Sequence, residues 1–223
     1  MRQVVALRSN SNKPVVYRCS IEGFEDTLYA ENGLQLYLYL ESTIMGTVDF
    51  VFGNAQAMFQ KFSLLVRRPP EDKHNVLTAQ AATTPVVSPA SPSTCAPSKR
   101  APGVNLDGVE TFLGRPYRNL SHVAFISSFL GRVVSARGWV PWDKNHEVEE
   151  TTRTVQYREF GNVGPGAKTE ARVSWLGFQR LRGRQLHGGR LRRRQDWVPE
   201  QIKYDHAAPP EPEPQPPMPP RAA

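Results

Sequence analysis

Long apolar runs are missing from this 223-residue chain. None approaches the ~18 residues that a membrane-spanning helix needs, which excludes a helical transmembrane span. The opening residues, MRQVVALRSNSNK, carry charge but no extended apolar stretch ending in a small-residue cleavage site. Either the protein is not secreted or its true beginning lies outside this sequence. Cysteine is scarce. Cys19 and Cys95 supply neither a disulfide framework nor a metal-ligand spacing. Cys95 lies in a Pro/Ser tract, a bridge to Cys19 stays open, and cysteine usage does not fix the compartment. No cluster of metal ligands stands out. A convincing amphipathic helix is absent, and so are most of the dipeptides that make tight hairpins. Asn32-Gly33 and Asp107-Gly108 are the only two.

What is present is unevenly distributed. The net charge of +7 is concentrated in one run, where Arg180, Arg182, Arg184, Arg190, Arg192, Arg193 and Arg194 stand close together. A nucleic-acid arm is one reading. A solvated basic segment is the preferred one, because the run lacks the interleaved aromatics of a stacking surface. The 20 prolines concentrate in two tracts. Residues 81–103, AATTPVVSPASPSTCAPSKRAPG, read as a flexible linker or insert. Residues 207–223 read as a Pro-rich disordered tail.

Between these tracts the chain is rich in strand signals. Gln3 to Leu7, Val15 to Ile21, Leu34 to Leu40, Ile44 to Phe52, Ala57 to Val66 and Asn75 to Thr78 each read as strand. His122 to Phe129, Arg132 to Ser135 and Val155 to Phe160 follow. A strand every ~20 residues, with polar turns between, suits a stacked β-solenoid. A sandwich of hairpins is the competing architecture, and the scarcity of hairpin loops counts against it.

Two acids interrupt the apolar runs. Asp26 sits in EDTLY and Asp49 in GTVDFVFG, flanked by Val48, Phe50, Val51 and Phe52. A carboxylate among such neighbours is costly to bury unless paired. One reading is a carboxylate pair on a single sheet face. The other is two turn aspartates capping strand ends.

Seven motifs, in order, resemble those of plant-type pectin methylesterases: QVVALR, EDTLY, GTVDFVFG, LGRPY, GW.PW at Gly138 to Trp142, Y.E..N.GPGA at Tyr157 to Ala167, and RVSW at Arg172 to Trp175. The resemblance covers roughly residues 1–80 and 109–178. It implies an all-β, right-handed parallel β-helix over residues 1–178, interrupted by the insert at 81–103. A basic segment at 179–206 and the tail at 207–223 would follow. Early coils of the helix are expected to be missing ahead of QVVAL, which predicts marginal stability.

The resemblance also implies roles. Asp49 would be the nucleophile, attacking a methyl-ester carbonyl to form an acyl intermediate. Asp26 would be the general acid and then the general base, and Arg115 of LGRPY would hold Asp49 ionised. Gln3 would donate to the oxyanion. Glu25 stands where the family has a second donor glutamine, and an ionised glutamate only accepts hydrogen bonds. This substitution predicts a weak or inactive esterase, with any activity shifted to lower pH. Tyr29, Phe52, Tyr117 and Trp139 would be aromatic platforms for sugar rings, each with core or cross-strand packing as the alternative. The Asp26-to-Asp49 separation exceeds the family's by two residues, with the surplus expected in LYLYLE.

Neither a metal nor a cofactor is implied. The expected partners are homogalacturonan and a proteinaceous pectinesterase inhibitor, with the protein acting as a monomer in the extracellular cell wall. Nucleic acid and membrane are not expected partners. Competing with the esterase are a catalytically impaired β-helix that at most binds pectin and, less favoured, a basic-tailed nucleic-acid-binding module.

Overall fold

The computed structural model describes residues 4–11, 14–31, 36–70, 73–81, 86–87, 98–142, 152 and 154–173. Its strands form three parallel sheets. The first contains β1 (Leu7–Ser9), β4 (Leu28–Ala30), β7 (Val51–Gly53), β10 (Asn75–Gln80) and β13 (Thr111–Pro116), in that spatial order. The second contains β2 (Val15–Tyr17), β5 (Leu36–Leu40), β8 (Gln56–Gln60), β11 (Val86–Val87), β14 (His122–Ile126) and β15 (Gln156–Phe160). The third contains β3 (Ser20–Glu22), β6 (Thr43–Gly46), β9 (Ser63–Val66) and β12 (Ser98–Arg100). Every ladder is parallel. The chain visits the three sheets in turn and climbs one rung per circuit, which makes a right-handed parallel β-helix and excludes a sandwich of hairpins.

Left-handed residues make the corners. Arg18 (φ 53°), Glu41 (49°) and Lys61 (50°) mark successive passages from the second sheet to the third. Asp26 (60°) and Asp49 (52°) mark passages from the third to the first. A non-glycine residue in this region costs ~1–2 kcal/mol, least for Asp and Asn. These corners explain two differences from the strands read in the sequence. Val15 to Ile21 is two strands broken at Arg18, and Ile44 to Phe52 is two strands with Asp49 at the bend between.

Register locates the two surplus residues. Leu28 pairs Val51, Ser20 pairs Thr43 and Val15 pairs Leu38, all 23 apart. From the second sheet to the third the chain advances five positions per coil, as from Val15 to Ser20, Leu38 to Thr43 and Met58 to Ser63. From the first sheet to the second it advances eight from Leu7 to Val15, but ten from Leu28 to Leu38. Of a bulge or a lengthened turn, either of which could absorb the surplus Leu-Tyr pair, the bulge is excluded within β5, which pairs with β8 residue for residue. The connection between β4 and β5 takes up the length.

The tract at 81–103 also departs from expectation. Val86–Val87 pairs with β8 and β14, and Ser98–Arg100 pairs with β9. Two short pieces of an Ala/Pro/Ser-rich segment thus complete rungs, since parallel neighbours on a preformed edge need little from the incoming side chains. Arg132 to Ser135 is not a strand; Val134 makes an isolated bridge to Thr111. The proposed segments 179–206 and 207–223 lie outside the described residues.

Inside the coils, identical positions stack. Ile21, Ile44 and Leu64 lie on successive rungs of the third sheet and are all buried. Each contributes ~1.5–3 kcal/mol by leaving water. Phe50, Phe59, Phe112 and Phe125 are among the largest fully buried side chains. Cys19 is a free, exposed thiol, and Cys95 lies outside the described residues. No helix among the described residues is long and apolar enough to cross a membrane.

Candidate active site

One outward row crosses the first sheet. Arg8, Tyr29, Phe52, Ala79 and Arg115 are register partners on five successive rungs, which at the ~4.8 Å strand spacing spans about 19 Å. Tyr29 and Phe52 stack with ring centroids 4.6 Å apart and planes 7° from parallel. Ala79 is small and leaves a hollow before Arg115. Here lies a cleft of about 520 Å³, lined by both aromatic rings, Asp26, Asp49, Glu25, Arg115, Tyr117 and Trp142, among others. Gly53 forms part of its floor. At φ 132° and against the Ala30 carbonyl, no Cβ fits there.

The two aspartates reach this cleft from equivalent corners. Their backbone fits the turn reading, since both sit at left-handed corners between strands, and both are buried, 8% and 4% exposed. The corners are tied rung to rung. Asp26 N–H donates to the Val48 carbonyl at 3.0 Å, Thr47 N–H to Phe24 at 2.9 Å and Leu28 N–H to Phe50 at 2.9 Å. The buried Thr27 hydroxyl closes the first corner, sharing its one proton between the Phe24 and Met45 carbonyls, each at 3.1 Å. Backbone hydrogen bonds between the two corners therefore hold Asp26 and Asp49 one rung apart.

Arg115 comes from β13, two rungs beyond β7. Its Nε lies 2.9 Å from Asp49 Oδ1 and its Nη2 2.6 Å from Oδ2, so both carboxylate oxygens accept from one planar fork. Burial pushes the Asp49 carboxyl up from the ordinary range, and this is the largest influence. Hydrogen bonding and charge from Arg115 pull it down, and Glu25 adds a smaller upward push. Trp142 lies against the guanidinium, 4.2 Å from Cζ to the ring centroid, and meets the Tyr117 ring edge-on at 5.0 Å.

Not every expected residue is here. Gln3 lies outside the described residues. Trp139 is a correction: it is fully buried, stacked on Tyr157 at 4.3 Å, with its indole N–H donating to Glu159 at 3.1 Å. A ring enclosed on both faces offers nothing to a sugar. Trp142, three residues on and in the same GW.PW motif, occupies the cleft instead. The motif signalled a tryptophan without saying which one faces out. Glu25 has a partner that sequence reasoning missed, with Lys73 Nζ donating to its Oε2 at 2.9 Å. No group of three or more His, Cys, Asp or Glu among the described residues is arranged to hold a metal ion.

Beneath the cleft, the later motifs build a support. Tyr157 is buried, hydrogen-bonded to Ser121 at 2.8 Å, and its hydroxyl is pushed up in pKa by burial. Glu159 and Arg172 form an ion pair with side chains 3% and 2% exposed. Gly138 (φ 70°) passes so close to Arg172 that a Cβ there would overlap its side chain.

Comparison with known proteins agrees with this arrangement. Residues 1–187 match the family described as Pectinesterase. Pectinesterase 2 of Citrus sinensis is 40% identical over 183 residues, covering 80% of this chain and 34% of the relative. Several Arabidopsis thaliana relatives bear names that join pectinesterase to pectinesterase inhibitor; the first matches 79% of this chain at 44% identity, with 36% of its own length covered. The structure of pectin methylesterase from carrot superposes with a TM-score of 0.70 at 31% identity, covering 80% of this chain and 55% of that one. This chain thus spans about a third of the curated relatives' length, and the shared part includes both aspartate corners and the Arg115 strand: it belongs to the pectinesterase family.

Proposed function

We propose that this protein hydrolyses methyl esters of homogalacturonan, releasing methanol and leaving a galacturonate carboxylate. The observation that carries this reading is the Asp49 carboxylate, gripped on both oxygens by Arg115, in a cleft that also holds Asp26 and a stacked aromatic wall. Flat rings suit the apolar faces of pyranose units, and the row of rungs runs along the helix axis, which suits an extended chain.

The Asp49 carboxylate attacks the ester carbonyl carbon. The tetrahedral adduct collapses as Asp26, protonated at this stage, gives its proton to the methoxy oxygen. Methanol leaves, and a mixed anhydride joins Asp49 to the sugar acyl group. Asp26, now a carboxylate, takes a proton from water as the oxygen adds to the sugar acyl carbon. Collapse frees Asp49 and the new carboxyl. Two neighbouring acids divide the roles because an ionised one favours the proton on the other. Arg115 keeps Asp49 the ionised member. The Tyr29–Phe52 stack, Tyr117 and Trp142 position the sugar. Glu25, engaged by Lys73, accepts instead of donating, so the oxyanion donor that the family places there is not supplied by this side chain.

The reaction takes place in the extracellular cell wall, where this substrate is found, with the protein acting as a monomer and a proteinaceous pectinesterase inhibitor as a further partner. The relatives whose names include such an inhibitor support that partner. Methanol release from highly methylated pectin tests the reading. Wild type should be active, and Asp49→Asn should lose at least ~10³-fold while staying folded. Methanol release that survives in Asp49→Asn sinks the mechanism, and none from wild type favours a pectin-binding β-helix without activity.

A further inference from the structure

Glu25 places an additional carboxylate on a cleft that already holds Asp26 and Asp49. Its partner comes from a different coil. Lys73 lies in the connection between β9 and β10, its N–H on the Pro70 carbonyl at 3.3 Å, and its Nζ reaches Glu25 across 48 positions of sequence. The two side chains are 24% and 46% exposed, so the pair sits at the rim, where water screens it only in part.

The charged and titratable groups that bear on Asp49 come from four elements, and Tyr29, Glu31, Tyr117 and Arg118 also line the cleft. Arg115 projects from β13, Asp26 and Glu25 from the corner before β4, Lys73 from the β9–β10 connection, and Tyr157 from β15 beneath. Tyr157 stays neutral, since burial raises its hydroxyl. Without Lys73, Glu25 would lose its counter-charge beside Asp26 and Asp49, an arrangement that favours a proton on one of the three carboxylates. Glu25 and Lys73 act on the Asp49 carboxyl in opposite directions, the first upward and the second downward.

We propose that Lys73 is a positioning residue for Asp49: by holding Glu25 in an ion pair between two coils, it cancels the extra carboxylate at the cleft and leaves Asp49 available as an anion. A glutamate is tolerated at this corner because a lysine from two coils further on accompanies it. The consequence for rate rests on the esterase reading above; the electrostatic effect on Asp49 does not.

The test follows the Asp49 carboxyl through its titration by ¹³C NMR in the full chain, together with methanol release against pH. The variants are Lys73→Met, Lys73→Arg, Glu25→Gln and Lys73→Met/Glu25→Gln. Lys73→Met should move the Asp49 titration upward by roughly one pH unit or less, and the acid limb of activity with it. Lys73→Arg should restore both. In the double variant the titration should return close to wild type, because both opposing charges are gone. An unmoved titration in folded Lys73→Met overturns the proposal, as does a shift that persists undiminished in the double variant. A wild type that releases no methanol refutes the esterase reading, while the titration still decides the role of Lys73.

Discussion

Two arginine–carboxylate pairs hold this molecule's polar interior, and they differ in what the arginine has left over. Arg172 spends all five of its N–H groups inside the protein. Nε and Nη2 grip Glu159 at 2.8 and 2.9 Å, and the remaining donors meet the carbonyls of Gly166, Ser135 and Ala136. Arg115 grips Asp49 with Nε and Nη2, while its Nη1 has no partner among the described residues and its face lies against Trp142. The first pair is closed on every side and works as a bolt. The second is closed on one side and opens on a cleft. A buried ion pair is thus not a functional site by virtue of its chemistry; the unspent donors and the adjacent hollow distinguish one.

Three substitutions probe this contrast. The largest effect is expected for Arg172→Met, which strands Glu159 in the interior without a counter-charge. Equilibrium unfolding should show a loss of about 3–5 kcal/mol, and Arg172→Met/Glu159→Leu should recover much of it. If Arg172→Met unfolds no more easily than Arg115→Ala, the distinction between bolt and site fails. Arg115→Ala comes next and should act on rate. Methanol release should fall by ~10²–10³-fold, as when one preorganised electrostatic group is removed. The pH profile gives the sign. Burial already raises the Asp49 carboxyl and Arg115 opposes that rise. Without Arg115 the carboxyl holds its proton to higher pH, so the acid limb must move up; a limb that moves down contradicts the electrostatics. The smallest effect belongs to Trp142→Ala. It removes a ring from the Arg115 face, a contact worth ~0.5–2 kcal/mol, and should raise KM several-fold with little change in Tm. A large Tm loss at unchanged KM would make Trp142 a packing residue like Trp139.

Those two tryptophans show where sequence reasoning stops. Trp139 and Trp142 share a motif, and the outward platform was expected at Trp139. Trp139 lies within the circuit of coils, fixed by a bridge between Gly114 and Trp139, while Trp142 lies just beyond it at the cleft. Which side of the wall a ring occupies depends on where the chain crosses a rung made by residues far away in sequence. The same holds for Glu25. Its type and the loss of a donor are legible in the sequence; its partner at Lys73 arrives from another coil. The tract at 81–103 differs for a related reason: its composition carries few strand signals, and Val86–Val87 and Ser98–Arg100 form short strands on edges built by other segments.

While Arg115 as the partner of Asp49 followed only from the resemblance to pectin methylesterases, the sequence by itself determined the coil repeat and the two aspartates at strand-ending turns. Those features are written locally, as strand-forming residues recurring every ~20 positions and as acids at bends where a left-handed residue is required. The tertiary structure alone decided which aromatic rings face the cleft, what neutralises Glu25, and that Arg172 serves as a bolt while Arg115 stays open to the cleft. Pairing and burial belong to the stacked coils, where residues 66 or 48 positions apart become neighbours, and no local stretch of the chain contains that proximity.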